Sequence, residues 1–203
     1  MSSPVRRAVV IGSGPNGLSA AIVCARSGLE VTVCEAEPTI GGGARTDALT
    51  LPGFLHDRCA SVFPLGIASP FFRALPIEAH GLSWLHARYP LAHPLDGGHA
   101  VVMERSLEAT AQGLGRDGRA YRRLLGPFVR HWTALVRDVL APVRLPRDPV
   151  LMARFGLRAV QPATRLAQRF ESTPARALLA GLAAHSGEPL AAPLTSAFAL
   201  LLG

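Results

Sequence analysis

The stretch Val9-Val10-Ile11-Gly12-Ser13-Gly14-Pro15-Asn16-Gly17 decides how this chain begins to fold. Residues 8–11 are a short β-branched run, the pattern of a buried parallel strand. Residues 15–27 read as a helix, with Leu18, Ala21, Ile22 and Ala25 at helical spacing and Gly28 as its stop. Residues 31–34 form a second buried strand, ending at Glu35. In a strand–turn–helix of this kind each glycine has its own duty. Gly12 permits the tight turn, Gly14 lets the backbone approach a pyrophosphate, and Gly17 lets the helix pack on the strand. The helix start points free N–H groups and a positive dipole end at the phosphates, with Ser13, Pro15 and Asn16 completing the cradle. Glu35 is placed to accept hydrogen bonds from a ribose hydroxyl, and its charge repels the 2′-phosphate of NADP. A glycine turn from an unrelated α/β protein need not combine strand, helix, second strand and acid.

A second glycine cluster follows at once: Gly41-Gly42-Gly43-Ala44-Arg45-Thr46. Its backbone N–H groups and the Arg45 guanidinium are suited to a diphosphate. A simple NAD dehydrogenase does not need this element, so the pair of loops turns the expectation from NAD toward FAD. The candidate cofactor-binding residues are therefore Gly12, Ser13, Gly14, Pro15, Asn16, Gly17, Glu35, Gly42, Gly43 and Arg45.

These two motifs, followed by Leu51-Pro52-Gly53-Phe54-Leu55-His56-Asp57, resemble the phytoene desaturase-related FAD-dependent oxidoreductases. The resemblance is nearest to their pyridine nucleotide-disulfide oxidoreductase domain-containing branch. It extends through Ala120-Tyr121-Arg122-Arg123-Leu124 to Pro193-Leu194-Thr195. It implies that Gly12, Gly14 and Gly17 hold the FAD pyrophosphate and Glu35 the adenosine ribose. Gly42, Gly43 and Arg45 would serve the diphosphate or ribityl side, although Gly43 stands where such proteins usually carry the arginine. The segment from Gly53 to Asp57 would run toward the flavin ring. His56 is a candidate for a place near the flavin, against a structural or surface role; no catalytic residue is assigned, because the cofactor carries the hydride chemistry.

The remainder is less specific. Residues 82–89 and 100–103 read as strands with a turn signal at Asp96-Gly97-Gly98, and Ser106 as the cap of a helix through Gln112. Beyond Gly115 the chain is helical. Over residues 127–141, Phe128, Trp132, Leu135, Val136 and Val139 share one face, and Arg130 and Arg137 lie opposite. Pro149, Pro162, Pro174 and Pro193 mark helix starts. Residues 198–202 form an apolar run with nothing after them to pack against. The expected fold is α/β, a Rossmann-like FAD-binding βαβ unit followed by part of a mixed β/helical substrate domain, divided as residues 1–60 and 61–203. A doubly wound sheet normally has about five strands; only two here have parallel character, so the chain reads as an N-terminal portion of a longer flavoprotein.

Composition closes several other routes. All 21 basic residues are arginine, so neither a P-loop lysine nor a Schiff-base lysine exists. The net charge of +7 is dispersed, with no run of arginines longer than two, which argues against nucleic acid. It leaves peripheral contact with anionic lipid through Arg123, Arg130 and Arg137 as an expectation. Cys24, Cys34 and Cys59 are odd in number and far apart, which fits a reducing cytosol and neither a disulfide framework nor a metal site. The expected activity is oxidation or desaturation of an apolar small molecule. The alternatives are a non-catalytic nucleotide-binding interaction protein, an NAD-dependent dehydrogenase and an amine-oxidising flavoenzyme.

Overall fold

The computed structural model describes residues 6–203. The chain divides into two compact units, one ending at Phe63 and the other running Pro64–Gly203. In the first, β1 (Arg7–Ile11) and β2 (Glu30–Cys34) pair in parallel, with Ala8 opposite Val31 and Ile11 opposite Cys34. Helix α1 (Pro15–Arg26) connects them and packs on both strands. Pro15 opens the helix, where its missing N–H costs nothing. After Arg26 the chain turns back through Gly28 at a φ of +82°. A two-residue antiparallel ladder follows, β3 (Thr46–Asp47) with β4 (His56–Asp57).

The strands expected to be buried on both faces are covered on one. Ala8 and Val10 are half-buried, whereas Val9 and Ile11 are 66% and 89% exposed. The β-branched run identified the strand correctly, but α1 lies on a single face of the pair. Ala21 is the only buried hydrophobic residue among those described before Pro64.

The second unit opens with two short helices, α2 (Pro64–Ala68) and α3 (Pro70–Arg73). An antiparallel hairpin follows, β5 (Leu91–Leu95) with β6 (His99–Met103). Residues 82–89, expected to be its first strand, are not a strand. The turn at Gly97 and Gly98, both at positive φ, sets Leu95 opposite His99 and Leu91 opposite Met103. The five residues just before the turn are thereby committed to the ladder, whatever the alternation further upstream suggests.

Helices α4 (Leu107–Gly113), α5 (Gly118–Arg130) and α6 (Trp132–Val139) come next. Ser106 caps α4 by accepting the Ala109 N–H. The helix expected over 127–141 is divided, because His131 leaves helical geometry at φ −109° and ψ 25°. Its apolar face persists across the break: Phe128, Leu135 and Val136 are buried, Trp132 and Val139 half-buried. Arg123 and Arg130 are exposed, but Arg137 is half-buried and lies 3.8 Å from Asp138.

Four further helices complete the unit: α7 (Pro149–Ala159), α8 (Ala163–Ala167), α9 (Thr173–Ala184) and α10 (Thr195–Leu202). The apolar run at the end has partners after all. α10 packs on α7 and α9, and Ala199 and Leu200 are buried. One core spans the unit, with Phe128, Leu135, Leu166, Phe170 and Leu178 at most 1% exposed. Among the described residues no helix is long and apolar enough to cross a membrane.

Candidate dinucleotide site

The site is built on the turn between β1 and α1. Gly12 has a φ of +92°, which glycine alone adopts freely, and its N–H donates to the Cys34 carbonyl at 2.7 Å. That bond ties the turn to the end of β2. Ser13 is fully buried, and both its N–H and its hydroxyl donate to the same Glu35 carboxylate oxygen, the former at 2.7 Å. The other oxygen accepts the Glu37 N–H at 3.0 Å. The Ser13 hydroxyl, its N–H and that of Glu37 together hold the Glu35 carboxyl down at about 2, so it is ionised in neutral solution.

Gly17 packs so closely that a Cβ would collide with the Gly12 carbonyl oxygen. At Gly14 a Cβ would meet only the Cα of Gly42, at 3.8 Å, and otherwise open space. No side chain caps the start of α1. Its first-turn N–H groups are therefore available to an external acceptor beside a bare stretch of backbone.

The second glycine loop docks against the first. Gly41 donates to the Ser13 carbonyl at 3.0 Å. Gly42 has a φ of +55°, and a Cβ there would come within 2.9 Å of the Gly14 Cα. Arg45 braces this arrangement. Its Nε donates to the Gly42 carbonyl at 3.1 Å, its Nη1 lies 3.4 Å from Glu37, and its side chain is only 12% exposed. Gly43 is exposed and passes beside Cys59, and its carbonyl accepts the Ala60 N–H at 2.9 Å. Pro15 and Asn16 are exposed at the helix start.

All ten sequence-selected residues thus gather in one unit around the two loops. His56 lies apart from them on β4, where Nε2 contacts the Thr50 hydroxyl at 2.7 Å. Two participants lie outside the ten: Glu37, which pairs with Arg45, and Gly41, which stands in the second glycine cluster and joins the loops. The acid two residues beyond Glu35 was a usable signal for the first. Among the described residues no cluster of His, Cys, Asp and Glu is arranged to hold a metal ion.

The arrangement fits the ADP portion of a dinucleotide: uncapped N–H groups, side-chain-free backbone and a fixed carboxylate at the end of β2. Comparison with known proteins agrees. Residues 10–75 match the NAD(P)-binding Rossmann-like domain family. The chain is 35% identical over 129 residues to pyridine nucleotide-disulfide oxidoreductase domain-containing protein 2 of Mus musculus, covering 63% of this chain and 21% of that protein. It is 30% identical over 155 residues to hydroxyneurosporene desaturase of Cereibacter sphaeroides, covering 71% and 30%. Among solved structures, putrescine oxidase bound to putrescine shares the fold with a TM-score of 0.55 at 18% identity, over 98% of this chain and 42% of that one. The chain therefore spans less than a third of the length of these two curated relatives. Residues 10–75 thus match a NAD(P)-binding Rossmann-like domain, and part of the chain is similar to proteins named as a pyridine nucleotide-disulfide oxidoreductase domain-containing protein and a desaturase.

Proposed function

We propose that this chain binds FAD through its ADP half and supplies the dinucleotide grip of an oxidoreductase that oxidises or desaturates an apolar substrate. The observation that carries the cofactor assignment is the docking of the second glycine loop on the first, with Gly42 against Gly14 and Arg45 bracing it. A single turn suffices for a bare nucleotide; two interlocked turns extend the row of backbone donors along a diphosphate. In this reading Gly12, Gly14 and Gly17 shape the pyrophosphate cradle. Ser13 keeps Glu35 aimed and ionised for a ribose hydroxyl, and Arg45 holds Gly42 and Gly43 in place while adding positive charge. A bound flavin would supply the hydride acceptor. The apolar substrate class is supported by the relative named as a hydroxyneurosporene desaturase.

The test is a titration of the purified chain with FAD, NAD and ADP, followed by flavin fluorescence and calorimetry. Saturable quenching of FAD, competed by ADP and abolished by Gly14→Val, is expected. Binding of NAD without FAD would replace this reading with a nicotinamide one.

A further inference from the structure

One cavity of the helical unit joins an apolar lining to positive charge. It holds about 380 Å³ and lies between the segment carrying α2 and α3 and the helix α6. Ala68, Pro70, Ala74, Trp132 and Val136 make its apolar walls. Ala68 and Val136 are buried and Trp132 is half-buried, so the deeper part is closed off by side chains without polar atoms to offer. The polar lining consists of Arg73, Thr133 and Arg137, and no lining residue is acidic.

Neither guanidinium is fully engaged within the protein. Arg73 is exposed and stands in no ion pair among the described residues. It also borders a neighbouring cavity, together with Glu78 and His86. Arg137 has one acid beside it, Asp138, at 3.8 Å. That carboxylate is held from other directions: it accepts the Arg147 N–H at 2.9 Å and lies 3.6 Å from Arg144. The Arg137 Nε is buried and has no acceptor. A buried donor without a partner is uncommon, and an anionic ligand would supply one. Even with Asp138 and Glu78 both counted, three guanidiniums, Arg73, Arg137 and Arg144, meet two carboxylates around this cavity.

We propose that the cavity binds a single-chain apolar molecule ending in a carboxylate, its tail against Ala68, Ala74, Trp132 and Val136 and its head at Arg73 and Arg137. Charge selects the head, because the guanidinium fork matches the two oxygens of a carboxylate and forms charge-assisted hydrogen bonds with them. Thr133 adds a neutral donor. Volume selects the tail: small-molecule pockets run from roughly 300 to 1,000 Å³, and this one stands near the lower end, with room for one slender chain. All the lining residues lie within 64–203, so the assignment is independent of the dinucleotide reading.

Equilibrium dialysis of the full chain against radiolabelled decanoate tests the proposal, with 1-decanol as the same tail lacking the charge. Saturable binding of decanoate is expected, with decanol weaker by about tenfold. Arg73→Gln and Arg137→Gln should each lower decanoate affinity by about tenfold while leaving that of decanol unchanged. Ala74→Phe, which fills the cavity, should abolish the binding of both. Arg73 and Ala74 are exposed, so these two variants should melt as the wild type does, and they keep the test decisive if Arg137→Gln unfolds. Absence of saturable decanoate binding overturns the proposal, as does decanol bound as tightly as decanoate. So do wild-type decanoate affinity in Arg73→Gln and decanoate binding that survives Ala74→Phe.

Discussion

Glu35 stands where a ribose-binding acid is expected and also acts as a structural tie, because Ser13 and Glu37 satisfy its oxygens. Its folded value of about 2 lies below the ordinary 4.5. The stabilisation it gives is therefore complete above the ordinary value and is lost as pH falls toward the folded one. Urea unfolding followed by circular dichroism should show wild type ahead of Glu35→Gln at neutral pH, the two converging in acid. Gly17 makes a sharper case. Gly17→Ala drives a methyl group into the Gly12 carbonyl, which should cost about 1–3 kcal/mol and remove dinucleotide affinity. Calorimetric titration with ADP and thermal melting measure the two effects.

Elements of the second unit are joined by a buried acid. Asp117 precedes α5 and accepts the N–H groups of Glu171 and Ser172 at 2.9 and 2.8 Å and the Ser172 hydroxyl, while Ser172 caps α9. Burial alone would raise its pKa; the Ser172 hydroxyl and the two N–H groups outweigh that and hold it below the usual carboxylate range. Asp117→Ala strips two backbone donors of their acceptor, at about 1–3 kcal/mol each. The melting temperature should fall clearly at neutral pH and less in acid, where the wild-type carboxylate is itself protonated. Likewise Gly181→Ala, on α9, would press a methyl group into the His93 ring on β5 and should lower the melting temperature by overpacking the hairpin against the helix. Such long-range contacts leave no local signal in the sequence. The βαβ unit and the Ser106 cap were legible because their signals are local. The partner strand at Leu91–Leu95 was missed because a turn fixed the register, and the break at His131 left no mark in an apolar periodicity that continues across it. Of the site, the ten residues were legible from two motifs; the tie from Ser13 to Glu35 and the bracing of Arg45 are tertiary.

At the scale of the whole molecule the two units are unequal. Every residue of the connected core belongs to the part beyond Pro64, whereas Ala21 alone is buried among the apolar residues described before it. Residues 64–203 expressed alone should retain helical circular dichroism and melt cooperatively, while residues 1–63 alone should not; a calorimetric scan of each piece checks this. The side chains have sorted themselves in a way that makes the comparison possible in the intact chain. Cys24, Cys34 and Cys59, all free thiols, lie before Pro64, and both tryptophans, Trp84 and Trp132, lie after it. The indole emitters therefore belong to the helical unit, and the alkylatable thiols to the dinucleotide unit. The chain carries one native optical and one native chemical reporter in different units, through which tightening of the first unit by ADP, which does not absorb indole emission, can be followed without a single engineered label.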